Sequence, residues 1–187
     1  MTHFEFLTVA ISFVLGLAVT VLLTSLLTAF RARRTTRMHW LPLTWACYIL
    51  VIQFDVWWEV YGLVSMQSWT AGAFVLLLLI ALLLFLAGGL VLPVRSADYP
   101  SDFDEYFQQD GRWAVAVVAV FQAAAMLANT ALFDIEVFGF MNIWNALAIA
   151  ITVVVVATKR RLLQGAATVA FGVWLVAYIW IFVPGTY

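Results

Sequence analysis

The sequence has few of the residues that enzymes and metalloproteins most often use. It contains one cysteine and two histidines among 187 residues, and only 10% of its residues are charged. The single Cys47 has no partner in the chain, which excludes an intramolecular disulfide and a cysteine-based metal cluster. His3 and His39 fall at opposite ends of the first two apolar segments, so they cannot bind one haem or metal ion together within a protomer.

Catalytic motifs are also missing. The Gly88-Gly89 pair lacks the strand context and spacing of a nucleotide-binding loop, and there is neither a His/Glu metal motif nor a nucleophile–base pair. A net charge of −1 provides no basic surface for nucleic acid. We therefore expect no enzymatic activity, no cofactor, no metal and no nucleic-acid partner. A lipid-modifying reaction that uses Asp, Asn and Arg at an interface is the one enzymatic option left open.

Apolar residues dominate what is present. The chain is 66% hydrophobic, and its mean hydropathy is +1.05, whereas a soluble domain is about 45–50% apolar and about 25% charged. Apolar segments of about 20 residues match the thickness of a bilayer. We predict an all-α polytopic membrane protein, a single domain whose six transmembrane helices cover about 4–30, 40–64, 69–92, 113–133, 137–158 and 162–183.

The basic residues predict the orientation in the membrane. If the helices alternate in direction, all nine Lys and Arg residues fall in three loops on one side. The positive-inside rule assigns that side to the cytoplasm. We therefore expect both termini outside and a location in the cell inner (plasma) membrane. These residues are Arg31, Arg33, Arg34, Arg37, Arg95, Arg112, Lys159, Arg160 and Arg161.

The segment 94–112 is the longest predicted piece outside the membrane. Ser101 is a suitable N-cap, and acidic residues follow it in the first turn, where the helix dipole favours them. We expect a short cytoplasmic interfacial helix, either separate from the fourth span or continuous with it. If this segment binds a cytoplasmic or membrane protein partner, we expect Phe103 and Phe107 to form an exposed patch on it.

Two carboxylates interrupt the second span. Asp55 and Glu59 are four residues apart and share one face of a helix, although a charge at membrane depth costs about 2.5–3.5 kcal/mol. They are predicted to bind an ion or proton. Alternatively, they complete a buried hydrogen bond, or they reach the outer headgroups, as the neighbouring Trp57-Trp58 pair would favour.

Other polar residues predict the surroundings of this pair. Buried polar groups need partners, so we expect five amide side chains to line one outward-facing vestibule: Gln53, Gln122, Asn129, Asn142 and Asn145. An outer acidic rim would consist of Glu5, Asp134 and Glu136, on the side where no Lys or Arg falls. This rim either concentrates cations and protons or is an ordinary solvated surface.

The first span carries small and polar residues at a spacing of four. The row comprises Thr8, Ser12, Gly16, Thr20, Thr24 and Thr28. Such rows allow helices to approach closely, so Ser12, Gly16, Thr20 and Thr24 are predicted helix-packing residues, with a hydrated pathway as the alternative. We also expect a symmetric homo-oligomer, because a chain this short is small for a self-contained pathway.

Residues 15–18, 39–46 and 52–54, with Trp57-Trp58, resemble a group of small, uncharacterised bacterial membrane proteins. The resemblance covers the first two spans. It implies a six-helix bacterial inner-membrane protein and carries no established activity.

Three functions are compatible with these features. The first is a membrane ion or proton channel or small transporter with an acidic outward-facing vestibule. The second is a non-transporting scaffold or accessory subunit that acts through segment 94–112. A third, weaker option is binding of a quinone or lipid tail, which the nine Trp and fifteen Phe residues suggest.

Overall fold

The described part of the chain is entirely helical. The computed structural model describes residues 3–34, 36–65, 69–93 and 102–182, and these contain no β-strand. The helices are α1 (His3–Ala32), α2 (Trp40–Gly62), α3 (Ala71–Leu90), α4 (Phe103–Tyr106), α5 (Arg112–Leu132), α6 (Phe140–Ala157) and α7 (Arg161–Phe182). A 3-10 turn, Leu63–Ser65, follows α2, and a π-helical turn, Phe107–Gly111, joins α4 to α5.

Six helices are long and apolar enough to cross a membrane. This confirms the predicted all-α architecture and is compatible with a multi-pass membrane protein. Their outward faces carry large apolar side chains, among them Leu162 at 90% and Trp180 at 84% exposure. Water-soluble monomers rarely expose large contiguous apolar patches, so these faces suit contact with lipid.

The fourth span differs from the prediction. A separate interfacial helix is not seen among the described residues; instead, Phe103–Leu132 forms one helical stretch of 30 residues. Asp102 caps its start by accepting a hydrogen bond of 2.8 Å from the backbone N–H of Asp104. Phe103 and Phe107 are fully buried, and this burial anchors the first turns to the bundle. The predicted cap Ser101 and the rest of 94–101 lie outside the described residues.

The helices pack as a closed ring. Around the ring, α1 contacts α3, α3 contacts α5, α5 contacts α6, α6 contacts α7, α7 contacts α2, and α2 returns to α1. Helix α2 also touches α3. Its inward face is buried at Ile49, Ile52 and Val56, while Phe54 and Trp58 face outward. The second span therefore belongs to the ring wall.

The small-residue row of α1 does not pack as predicted within this chain. A Cβ atom added to Gly16 would meet nothing within 4 Å, and Thr20 and Thr24 are exposed. Their hydroxyls donate to the carbonyls of Gly16 and Thr20, each at 2.7 Å. Ser12 is half-buried. The buried face of α1 lies elsewhere, along Leu7, Ile11, Leu15, Ala18, Leu22, Ser25 and Ala29.

The basic residues gather at one end of the bundle. The backbone N–H of Phe103 donates to the carbonyl of Arg37 at 3.1 Å, and the Tyr106 hydroxyl donates to the carbonyl of Leu90 at 3.0 Å. These contacts bring the α1–α2 loop, the end of α3 and the start of α4 together. We call this the basic end. The α5–α6 turn, with exposed Asp134 and Glu136, lies at the opposite end, as does exposed Glu5 near the start of α1.

Candidate functional site

The two carboxylates of α2 face a small cavity inside the ring. Asp55 is half-buried, and Glu59, one turn later, is exposed. The cavity has a volume of about 30 Å³, which is room for about two water molecules. Helices α2, α5, α6 and α7 line this site, which we call the polar cavity. Its lining residues are Ile52, Asp55, Val56, Glu59, Phe121, Gln122, Ala125, Asn129, Met141, Asn145, Trp174, Leu175 and Tyr178.

Tyr178 is the direct partner of Glu59. Its hydroxyl donates a hydrogen bond of 2.7 Å to Glu59 Oε1. Ring contacts with Trp174 at 5.4 Å and with Phe182 at 5.2 Å hold the tyrosine ring between them. Sequence reasoning missed this residue. The available signal was the buried face of α7, which repeats at helical spacing through Gln164, Thr168, Phe171, Leu175 and Tyr178.

Two buried amides in the polar cavity have no hydrogen-bond partner among the described residues. Gln122 and Asn145 are each 3% exposed, and neither side chain forms a hydrogen bond with the part of the chain that the structure describes. Asp55 likewise forms no hydrogen bond or ion pair with those residues. Polar groups that open onto a cavity bind water or another polar occupant. The arrangement therefore suits a polar or charged occupant.

Asn129 and Asn142 connect the polar cavity to the adjacent turn. Asn129 Nδ2 donates to Asn142 Oδ1 at 3.2 Å, and Asn142 Nδ2 donates to the carbonyl of Glu136 at 3.0 Å. Asn129 lines the cavity, whereas Asn142 lies behind it. Asn142 thus braces Asn129 and fixes the turn between α5 and α6.

Gln53 lies apart from the other predicted lining residues. It is fully buried, and its Nε2 donates to the carbonyl of Leu84 on α3 at 3.2 Å. It packs against Gly88, whose added Cβ would lie 3.1 Å from Gln53 Nε2. Gln53 does not line the polar cavity. Of the five amides predicted to share one vestibule, the structure brings three to the cavity: Gln122, Asn129 and Asn145.

A second, mostly apolar cavity of about 60 Å³ adjoins the polar one. It lies between α2, α3 and α5, and within the part of the chain that the structure describes its polar lining residues are Glu59 and Asn129. We call it the apolar cavity. Its other lining residues are Val56, Val60, Leu63, Leu77, Ile80, Phe121, Ala125, Ala128 and Phe133.

Aromatic side chains separate the polar cavity from the basic end. The ring of Phe171 lies 4.8 Å from Trp45, 5.6 Å from Tyr48 and 5.1 Å from Trp174. Thr168 anchors two of these rings, because its hydroxyl accepts from Trp45 Nε1 at 3.1 Å and its carbonyl accepts from the Tyr48 hydroxyl at 3.2 Å. We call Trp45, Tyr48, Phe171 and Trp174 the aromatic layer.

Beyond the aromatic layer, Asp104 and Gln164 are paired with polar groups of neighbouring elements. The Asp104 side chain is 5% exposed and forms an ion pair of 2.5 Å between its Oδ2 and an Arg161 guanidinium nitrogen. His39 Nδ1 lies 3.8 Å from the other carboxylate oxygen. Gln108 Nε2 donates to Gln164 Oε1 at 2.7 Å, and Gln164 Nε2 donates to the carbonyl of Thr158 at 2.9 Å. These contacts link the helices at the basic end, beside a partly open pocket of about 230 Å³ that His39, Asp104, Arg161 and Gln164 help to line.

The described residues include no group of three or more His, Cys, Asp or Glu side chains that could hold a metal ion. The site is therefore a carboxylate pair with amide and aromatic neighbours. Comparison with protein-family models, with curated proteins and with solved structures finds no match.

Proposed function

We propose that the protein is a small membrane transporter of protons or cations, and that Asp55 and Glu59 form its binding pair. One observation supports this proposal: no Lys, Arg or His is among the described residues that line the polar cavity. Two carboxylates in an apolar span are stable only with protons or a cation nearby. The unpartnered amides of Gln122 and Asn145 would supply further ligands.

The charge distribution supports an orientation for this transporter. With the basic end in the cytoplasm, as the positive-inside rule prescribes, the polar cavity belongs to the outer half of the bilayer and both termini lie outside. The acidic residues at that end, Glu5, Asp134 and Glu136, would raise the local concentration of cations. We place the protein in the bacterial inner membrane.

The aromatic layer favours a transporter over an open channel. Conduction through a channel requires a continuous polar path, whereas the aromatic layer lies between the polar cavity and the basic end. A transporter exposes a central site to one side at a time. This arrangement matches a site that is closed toward the cytoplasm.

The scaffold function is less well supported. It requires an exposed patch at Phe103 and Phe107, and both residues are fully buried. A homo-oligomer is still proposed, because the α1 face with Gly16, Thr20 and Thr24 has no packing partner within the described chain.

The test is ion and proton flux in proteoliposomes made with the purified full chain. Asp55→Asn and Glu59→Gln remove the charges with little change in shape, so each should lower flux at least about tenfold, equivalent to about 1.4 kcal/mol of binding free energy. Asp110→Asn is the matched control, because Asp110 is exposed at the basic end and does not line the polar cavity, so flux should stay within about threefold of the wild type.

Size-exclusion chromatography establishes that each variant is folded. The proposal fails if the wild type carries no flux under proton, sodium, potassium or chloride gradients. It also fails if flux occurs but neither Asp55→Asn nor Glu59→Gln reduces it.

A further inference from the structure

Glu59 stands where two cavities of opposite character meet. Both the polar cavity and the apolar cavity are lined by Val56, Glu59, Phe121, Ala125 and Asn129. On one side are Asp55 and the unpartnered amides, and on the other are only apolar side chains apart from Glu59 and Asn129. A hydrated metal ion or a proton would use the first side and leave the second empty.

Resting on the proposed function, we propose that the substrate is a small organic cation, a primary ammonium that carries a short alkyl chain. The ammonium group would bind between Asp55 and Glu59, and the alkyl chain would enter the apolar cavity along Leu77, Ile80 and Ala128. The proposal stands on the shared position of Glu59 and on the unpartnered polar side chains that face the same space.

The donors and acceptors match. A primary ammonium has three N–H donors and no acceptor. The polar cavity offers acceptors, namely two carboxylates and the amide oxygens of Gln122 and Asn145. No basic residue is among the described side chains that line it. Phe121 and Trp174 add aromatic faces, which attract cations. Trp174 is held in place because its indole N–H donates to the carbonyl of Trp144 at 3.0 Å.

The volume of the apolar cavity limits the length of the alkyl chain. About 60 Å³ accommodates a few methylene groups beyond the ammonium. Each buried methylene should tighten binding about three- to fourfold. Affinity should therefore rise from methylammonium to propylammonium or butylammonium and then level off or fall for longer chains.

Two substitutions change the apolar cavity without touching the carboxylates. Ala128 is buried and lines the apolar cavity only, so Ala128→Leu fills it. Leu77 also lines the apolar cavity only, and Leu77→Ala enlarges it. Ala123→Leu is the matched control, because Ala123 is exposed on the same helix and lines neither cavity.

The experiment is titration calorimetry on the purified full chain with the series methylammonium to hexylammonium, with sodium as the inorganic comparison. The wild type should bind butylammonium at least about tenfold more tightly than methylammonium. Ala128→Leu should remove this preference while methylammonium binding stays unchanged. Leu77→Ala should move the optimum to a longer chain, and Ala123→Leu should behave as the wild type does.

The inference is overturned if affinity does not depend on chain length, or if Ala128→Leu weakens methylammonium and butylammonium equally. If Ala128→Leu does not fold, the shift of the optimum in Leu77→Ala decides the matter. The flux assay separates the two proposals. Proton or sodium flux that requires Asp55 and Glu59, without any preference for alkylammonium, overturns this inference and leaves the proposed function standing. Flux that is independent of both carboxylates overturns the proposed function.

Discussion

The two halves of the bundle contain the same kinds of polar side chain, but these are paired in one half and lack partners among the described residues in the other. In the basic half, the Asp104 carboxylate is paired with Arg161, and the Gln164 amide donates to the carbonyls of Thr158 and Val155. In the other half, Asp55 has no ion pair and the Gln122 amide has no hydrogen bond within the described chain. Both amides are almost completely buried.

We interpret this difference as one between polar groups that stabilise the fold and polar groups that could bind a ligand. Most buried polar groups in folded proteins have a hydrogen-bond partner, and Asp104 and Gln164 in the basic half follow this rule. Folding gains nothing from leaving Asp55 and Gln122 without partners. Their state is explained if a ligand supplies the missing partner. The comparison can be tested by matched substitutions in the two halves and in the layer between them.

The largest expected effect concerns the aromatic layer that divides the halves. The Cβ atom of Gly172→Ala would overlap the Tyr48 ring and hydroxyl, and that ring is fixed by Trp45, Phe171 and Thr168. We expect a loss of about 2–3 kcal/mol in the free energy of unfolding. The measurement is SDS-induced unfolding in mixed micelles.

Gly89→Ala is the control for this substitution. Its Cβ would lie 3.8 Å from Val21 Cγ1, an ordinary van der Waals contact, so the free energy of unfolding should stay unchanged or rise by up to about 1 kcal/mol. Equal effects of the two substitutions would show that the layer is not tightly packed.

An intermediate effect is expected for the two aspartates. Asp104→Asn breaks the ion pair with Arg161, but the Arg161 side chain is 73% exposed and regains water, so the loss should be only about 1–2 kcal/mol. Asp55→Asn removes a charge that has no basic partner among the described residues. This charge also lies near the Glu59 carboxylate, which repels it. The substitution should leave the free energy of unfolding unchanged or raise it. Both variants are measured by the same unfolding assay. If Asp55→Asn lowers the free energy of unfolding more than Asp104→Asn does, Asp55 stabilises the fold and the difference between the two halves is contradicted.

The smallest expected effect concerns the two glutamines. Gln164→Leu removes donors to the carbonyls of Val155 and Thr158 and the contact with Gln108, which should cost about 1 kcal/mol. Gln122→Leu removes no hydrogen bond within the described chain and should be neutral or stabilising. If both substitutions cost the same, Gln122 has a structural role, and the case for a ligand in the polar cavity weakens.

Periodicity in the sequence was sufficient to find the centre of the candidate site. The spacing of four between Asp55 and Glu59 predicted that they share one helix face, and the need of buried amides for partners predicted that five amides line one vestibule. Three of these amides line the polar cavity with the two carboxylates, whereas Gln53 and Asn142 do not. Their roles in binding stay predictions.

Contacts between distant helices could not be derived in the same way. Tyr178 and Glu59 are 119 residues apart, and no pattern within either helix says that α7 packs on α2. The position of Gln53 shows the same limit, because its neighbour depends on α3 lying behind α2. Phe103 and Phe107 were expected at an interface, and only the path of the fourth span reveals that the bundle buries them.

The length of the fourth span has a mechanical consequence. Its 30 residues extend about 45 Å at 1.5 Å per residue, whereas the hydrocarbon core of a bilayer is about 30 Å thick. Asp104 lies near one tip of this rod, and Asn129 lies near the other, beside the polar cavity. A bilayer of this thickness would hold the helix tilted or leave its first turns outside the hydrocarbon core, and the π-helical turn at Phe107–Gly111 is where the helix departs from regular α geometry.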